Sequence, residues 1–212
     1  FYIDFETEIN EFTSSVAYSG AEVANQDLIF TGVTTNQTTG NPVNYKQILR
    51  FDKWGNIVWK KNIGYGKFVK SAKDGSFYLY DNHPHNSGDI VVTRYNEYGD
   101  SIWTRIYGTT YYEEVTDLLV NKDDGFFITA YTTSETNNTY FLKCDSIGKI
   151  KSYGFLEGSG GFLTHTIDGM LAIVLKMPNN DICIKKTLIY GQEVWRQVYG
   201  KDINLFAKGI IE

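Results

Sequence analysis

The residues best equipped for chemistry in this 212-residue chain gather in one segment, Asp81-Asn82-His83-Pro84-His85-Asn86-Ser87-Gly88-Asp89. Two imidazoles two residues apart, flanked by carboxylates, form a donor set suited to Zn²⁺ or Cu²⁺. The third histidine, His165, stands some 80 residues further on. The simpler reading is therefore a polar loop stiffened by Pro84, with His165 on the inner wall of a sheet, and no metal is expected. Paired acids are the next candidates, since glycoside hydrolysis needs two carboxyl groups facing each other about 5–10 Å apart. Glu113 and Glu114 are adjacent, so on a strand they point to opposite sides. Asp117, Glu157 and Asp202 are read as solvated. A nucleophile context is missing too: Gly158-Ser159-Gly160-Gly161 is one residue short of G-x-S-x-G and reads as a flexible loop. Cys144 and Cys183 are read as small buried hydrophobes rather than a disulfide. The chain is not expected to be an enzyme, and no cofactor is expected.

The elements that must position these residues repeat along the chain. Asp52-Lys53-Trp54-Gly55-Asn56-Ile57-Val58-Trp59 returns as Asn96-Glu97-Tyr98-Gly99-Asp100-Ser101-Ile102-Trp103. It returns with Ser152 in the Trp place at Asp145–Ser152, and with Leu188 in the acidic place at Leu188–Trp195. The turn glycines lie 44, 49 and 43 residues apart, a period that marks stacked or radial supersecondary units. Each unit reads as four short strands, A to D. Asp74-Gly75, Asp124-Gly125 and Asp168-Gly169 mark the A–B hairpins, with Asn25-Gln26-Asp27 in that place in the first unit. After the Trp comes Tyr107-Gly108 or Tyr199-Gly200, and Ile63-Gly64 in the first unit. The ring and the Tyr share one strand face, suited to packing between neighbouring units.

The composition agrees with all-β structure. Aromatic residues make up 16% of the chain, with 16 Tyr, 13 Phe and 20 Gly but only 3 Pro. Tyr and Phe favour pleated sheets, and Gly the many turns. The net charge of −5 has no basic run, so a nucleic-acid footprint is missing. No apolar run reaches the roughly 18 residues of a membrane span. Arg50, Arg94, Lys143 and Lys186 each stand five residues before a turn glycine. Three of them have Asp52, Asn96 or Asp145 two positions on; they are read as repeated strand-end pairs supporting the C–D turn, a ring of four cations for an anion being the alternative.

The pattern D-x-x-G-x-x-x-W-x-x-x-Y-G, followed by a linker, a D-G hairpin and a Thr-rich loop, resembles the β-propeller repeats of secreted and cell-surface bacterial proteins. The resemblance covers about residues 27–212. Its D-x-x-G-x-x-x-W part is also similar to the tryptophan-docking repeat of quinoprotein dehydrogenases, whose cofactor ligands have no counterpart here. It implies a small propeller of about four blades, each of four antiparallel strands, complete or part of a longer array. The blades are placed at 14–62, 63–107, 108–156 and 157–200, within a single domain over 1–212. Residues 1–7 read as an extra D strand and 203–212 as an extra A strand, either closing the ring or belonging to the longer array. The chain starts at Phe1 and is read as beginning inside a processed or longer polypeptide.

The function expected is that of a non-catalytic binding module of a secreted or surface protein, recognising a protein partner through its B–C and D–A loops. Carbohydrate binding is the alternative, and a glycan-active hydrolase a more remote one. The residues expected to touch the ligand are Tyr111, Tyr112, Asn82, His83, His85, Asn137 and Asn138. Tyr supplies rigid contact area, and amides supply adaptable hydrogen bonds. The triplets at Asn36 and Asn137 match the N-glycosylation pattern.

Overall fold

A computed structural model of the chain describes residues 14–36, 43–83, 88–133, 138–189 and 191–200. Sixteen strands form four antiparallel four-stranded sheets. The first sheet holds β1 (Ser14–Glu22), β2 (Leu28–Asn36), β3 (Val43–Phe51) and β4 (Ile57–Asn62). The second holds β5 (Phe68–Ser71), β6 (Phe77–Asn82), β7 (Ile90–Tyr95) and β8 (Ser101–Tyr107). The third holds β9 (Glu113–Val120), β10 (Phe126–Thr132), β11 (Thr139–Cys144) and β12 (Ile150–Leu156). The fourth holds β13 (Ser159–His165), β14 (Leu171–Lys176), β15 (Ile182–Thr187) and β16 (Glu193–Tyr199). Each sheet is an A-B-C-D meander in chain order. The segments read as extra terminal strands lie outside the described residues, as do His85 and Asn137.

The sequence repeat is explained by its turn. The Asp52 carboxylate accepts the backbone N–H groups of Trp54 at 2.9 Å and Asn56 at 2.8 Å, and the Gly55 N–H returns to the Asp52 carbonyl. Asn96 and Asp145 repeat this at the next two turns. At the fourth, Leu188 has no side-chain oxygen, and only the backbone bonds remain. The glycine is required because φ is positive at Gly55, Gly99, Gly148 and Gly191 (75° to 87°), where a Cβ is strained.

The recurrent cations behave differently from the sequence reading. Arg50 pairs with Asp27, Arg94 with Asp74 and Lys186 with Asp168. Each of these three cations on a C strand thus reaches across its own sheet to the acid of the A–B hairpin, not to the residue two positions on. The reason is that Asp52, Asn96 and Asp145 already face their own turn amides. Arg50 and Asp27 are both buried.

The chain packs as two compact units. One comprises the described residues up to Asp81 together with Val91–Arg105, and the other Asn82–Ile90 together with the described residues from Ile106. In the first unit, Ile29 and Ile48 of the first sheet pack on Val69, Phe77 and Leu79 of the second. In the second unit, Phe127 and Phe141 of the third sheet pack on Leu163, Leu171, Ile173 and Leu175 of the fourth. Strand alternation produces both seams: neighbouring positions of a B strand face opposite sides of its sheet, so Ile29 and Phe127 face the following sheet while Phe77, Leu79, Leu171, Ile173 and Leu175 face the preceding one.

Two segments read as solvated or loop are neither. Asp117 is buried, and its carboxylate accepts the N–H groups of Leu118 at 2.9 Å and Leu163 at 3.0 Å. Ser159, Gly160 and Gly161 are strand, not flexible loop: they begin β13 and lie against Thr129 and Thr139. The smallness of Gly161 is what permits this approach, since a Cβ there would sit 3.1 Å from the Thr129 and Thr139 side chains.

Candidate binding loops

Three loops of the second unit meet around one buried carboxylate. Glu113 opens β9 and is fully buried, whereas Glu114 is exposed, as strand alternation requires. The hydroxyl and backbone N–H of Thr109 both donate to the Glu113 carboxylate, and the Thr132 hydroxyl approaches it from β10 at 3.5 Å. The Tyr111 N–H donates to the Thr109 hydroxyl oxygen at 3.1 Å. Residues 108–112 are thereby folded back onto the strand they lead into. Tyr140 lies in the same cluster. Burial, assisted by the Glu113 charge and by Tyr153 and Cys144, pushes its phenol up to about 12.

Asn82 ties in the B–C loop of the second sheet. Its amide donates to the carbonyls of Gly88 at 2.9 Å and Glu113 at 2.6 Å, and its side-chain oxygen accepts the Val115 N–H. Tyr112 is joined to the third loop through Thr133, whose hydroxyl accepts the Tyr112 N–H while its own N–H donates to the Tyr112 carbonyl. The Tyr112 ring lies over Gly88, where any Cβ would collide with it. The Thr132 N–H donates to the Asn138 carbonyl at 3.0 Å.

Of the residues singled out in the sequence, Asn82, Tyr111, Tyr112 and Asn138 therefore fall within this one network. His83 is half-buried beside it, its N–H on the Asp89 carbonyl at 2.6 Å. Tyr111 and Tyr112 present their rings to solvent at 42% and 43% exposure. Glu113, Thr109, Thr132, Thr133 and Gly88 fall within the candidate loops but were not singled out as the residues that hold these side chains.

The other chemical candidates have internal partners. The His165 ring nitrogen Nε2 lies 3.1 Å from the Val120 carbonyl oxygen. Cys144 and Cys183 are buried free thiols; burial pushes Cys144 up to about 12 and raises Cys183 as well. Among the described residues no three His, Cys, Asp or Glu side chains gather as a metal site, and no helix is long and apolar enough to cross a membrane.

No family model matches the chain, and no curated protein matches it in sequence. Solved structures do match its fold. They include a protein from Dyadobacter fermentans described as of unknown function (TM-score 0.61, 8% identity, 91% of this chain and 66% of that one). The Dos1 propeller gives a TM-score of 0.59 at 13% identity, over 91% of this chain and 50% of that one. A protein of unknown function from Bacteroides caccae gives 0.55 at 12% identity, over 87% and 61%. The chain is thus an all-β protein of the β-propeller class, with four blades of four strands. It spans half to about two thirds of the length of these solved chains.

Proposed function

We propose that this chain is a non-catalytic binding module of a secreted or cell-surface protein, and that it recognises a protein partner through the loops gathered around Glu113. The observation that carries the reading is the presentation of Tyr111 and Tyr112. Two half-exposed aromatic rings stand on a loop tied down at Thr109, Glu113, Gly88 and Thr133. Rigid aromatic side chains on a tethered loop give contact area with little ordering cost on binding. Hot spots of protein interfaces are enriched in such residues.

The experiment is affinity capture from the protein's native surroundings, with the intact chain and a Tyr111→Ala/Tyr112→Ala variant, each with and without soluble sugars. One partner retained by the intact chain in the presence of sugar, and lost by the variant, supports protein recognition. Retention abolished by sugar assigns the same loops to a glycan. Equal capture by both chains removes the two tyrosines from the site.

A further inference from the structure

At the turns of the sheets, carboxylates are neutralised by cations of the same chain. Asp27 pairs with Arg50, Asp74 with Arg94, Asp168 with Lys186 and Asp145 with Lys151. The loops around Tyr111 and Tyr112 differ. Segments 82–89, 108–114 and 132–139 contain Asp89, Glu113, Glu114 and Glu135 but no Lys or Arg. Glu135 lies outside the described residues, and the described residues of all three segments belong to the second unit.

Strand pairing sets these acids around the exposed rings. The bonds between Tyr112 and Thr133 continue the ladder in which Glu113 lies opposite Thr132 and Glu114 opposite Tyr131. Alternation then puts Tyr112 and Glu114 on one side of β9 and Glu113 on the other. Glu114 is exposed, as both tyrosine rings are. Asp89 is half-buried and follows Gly88, over which the Tyr112 ring lies. A Cβ at Gly108 would stand 2.1 Å from Asp89 Oδ1 and 3.2 Å from Glu113 Oε2, so these two carboxylates flank one glycine. Glu113 is held by neutral donors of Thr109 and Thr132, which fix the carboxylate and leave its charge uncancelled. Among the described residues no Lys or Arg pairs with Asp89, Glu113 or Glu114. The field at the two tyrosines is therefore negative.

Building on the protein-recognition reading above, on which this rests, we infer that the partner presents a basic segment whose arginine guanidinium stacks on the Tyr111 and Tyr112 rings and meets the Glu114 and Asp89 carboxylates. Charge complementarity selects a cation, since the three segments carry acids and neither Lys nor Arg. The rings select a flat one. A guanidinium lies over a ring face within about 6 Å of its centroid and keeps N–H donors for a carboxylate at its edge, whereas an ammonium is more strongly hydrated. The chain uses this arrangement internally. The Arg94 guanidinium lies 5.4 Å from the Tyr78 ring centroid, and its Nη2 donates to the Asp74 carboxylate at 2.7 Å.

Fluorescence anisotropy of labelled, end-blocked peptides with the whole chain tests this. The peptides alternate Gly with Arg, with Lys, or with citrulline, the uncharged isostere of Arg. The arginine peptide is expected to bind, the lysine peptide about threefold and the citrulline peptide at least about tenfold more weakly. Affinity for the arginine peptide should fall as salt rises from about 0.05 to 0.5 M. Glu114→Gln, at an exposed position, is expected to weaken it about fivefold, and Tyr111→Ala/Tyr112→Ala at least about tenfold. Glu22→Gln removes an exposed acid of the first sheet and should leave binding unchanged. Circular dichroism checks that each variant is folded. No binding of the arginine peptide overturns the proposal, as does equal binding of the lysine or citrulline peptide. An equal loss in Glu114→Gln and Glu22→Gln also overturns it, since net charge alone would then explain the affinity. Capture from the native surroundings separates this from the reading beneath it. A partner lost by the tyrosine variant but held unchanged by Glu114→Gln and at high salt keeps protein recognition and removes the arginine.

Discussion

The two units solve the same packing problem with one shared device and one that differs. On the inner strands the seams are equivalent bond for bond. In the first unit the Thr31 hydroxyl donates to the Lys67 carbonyl at 2.5 Å, and the Val69 N–H donates to Ser19 Oγ at 3.2 Å. In the second unit Thr129 donates to the Gly161 carbonyl, and the Leu163 N–H donates to Asp117. These are the same four positions of the repeat. On the outer strands the units part. In the first, Trp59 stacks on Phe77, and its indole N–H shares the Glu97 carbonyl with the Arg50 guanidinium. In the second, Ser152 and Lys143 occupy those places, and Ile189 replaces Glu97 and packs on the apolar cluster. Thr139 adds bonds to the Gly158 and Gly160 carbonyls. A blade seam therefore survives loss of the tryptophan when inner-strand hydrogen bonds are added.

The largest expected effect comes from the buried cation of the first unit. Arg50→Ala would leave the Asp27 carboxylate buried and unpaired, and would leave the Glu97 carbonyl with the Trp59 indole alone. Breaking such a pair costs about 3–5 kcal/mol. Urea unfolding should show that loss, with hydrogen exchange rising first in the amides of the first unit. A smaller loss from Arg50→Ala than from Asp117→Ala would reverse the ranking of the two seams.

Asp117→Ala is expected next. It removes the acceptor from two buried N–H groups, those of Leu118 and Leu163, at about 1–3 kcal/mol for each unsatisfied group. Its counterpart, Ser19→Ala, removes one acceptor from a part-buried bond and should cost less. Shape-preserving substitutions sharpen the contrast further. Thr129→Val keeps the volume and loses the hydroxyl, so about 1–2 kcal/mol is expected in the second unit. Trp59→Phe keeps an aromatic ring and loses a long 3.3 Å bond, so the first unit should change by less than about 1 kcal/mol. Thermal unfolding of the two variants side by side decides this, and a larger shift for Trp59→Phe would contradict it.

This contrast also explains what could be read in the sequence. The 43- to 49-residue period, the D-x-x-G turns and the D-G hairpins pointed to four sheets of four strands, because turn chemistry is local. Register is not local. That Arg50 would reach Asp27 rather than Asp52, and that Thr129 would meet Gly161, depends on which residues pairing brings opposite. Tryptophan is the conspicuous residue of the repeat, while the device common to both seams is a threonine and a small or acidic residue on the inner strands. In the binding loops, Tyr111 and Tyr112 were legible as exposed aromatic residues. The buried Glu113 was not, since nothing local distinguishes it from Glu114.

The smallest expected effect concerns the same cation–acid pair where it is exposed. In the fourth sheet Lys186 lies 2.5 Å from Asp168, both partly open to solvent. The Lys186 hydrogen bond, with the Thr166 hydroxyl, holds the Asp168 carboxyl at about 2, below its ordinary 3.8. A depressed carboxyl stabilises the fold fully above its unfolded value, so this contribution is complete above about pH 4 and fades as pH falls toward 2. Titration of Asp168 by carboxyl NMR should give a midpoint near 2, and Lys186→Met should move it toward 3.8. The variant should change stability at neutral pH far less than Arg50→Ala, because solvent screens the exposed pair and leaves the buried one unscreened. A midpoint unmoved by Lys186→Met would mean that the cross-sheet pairing matters only where it is buried, in the first sheet.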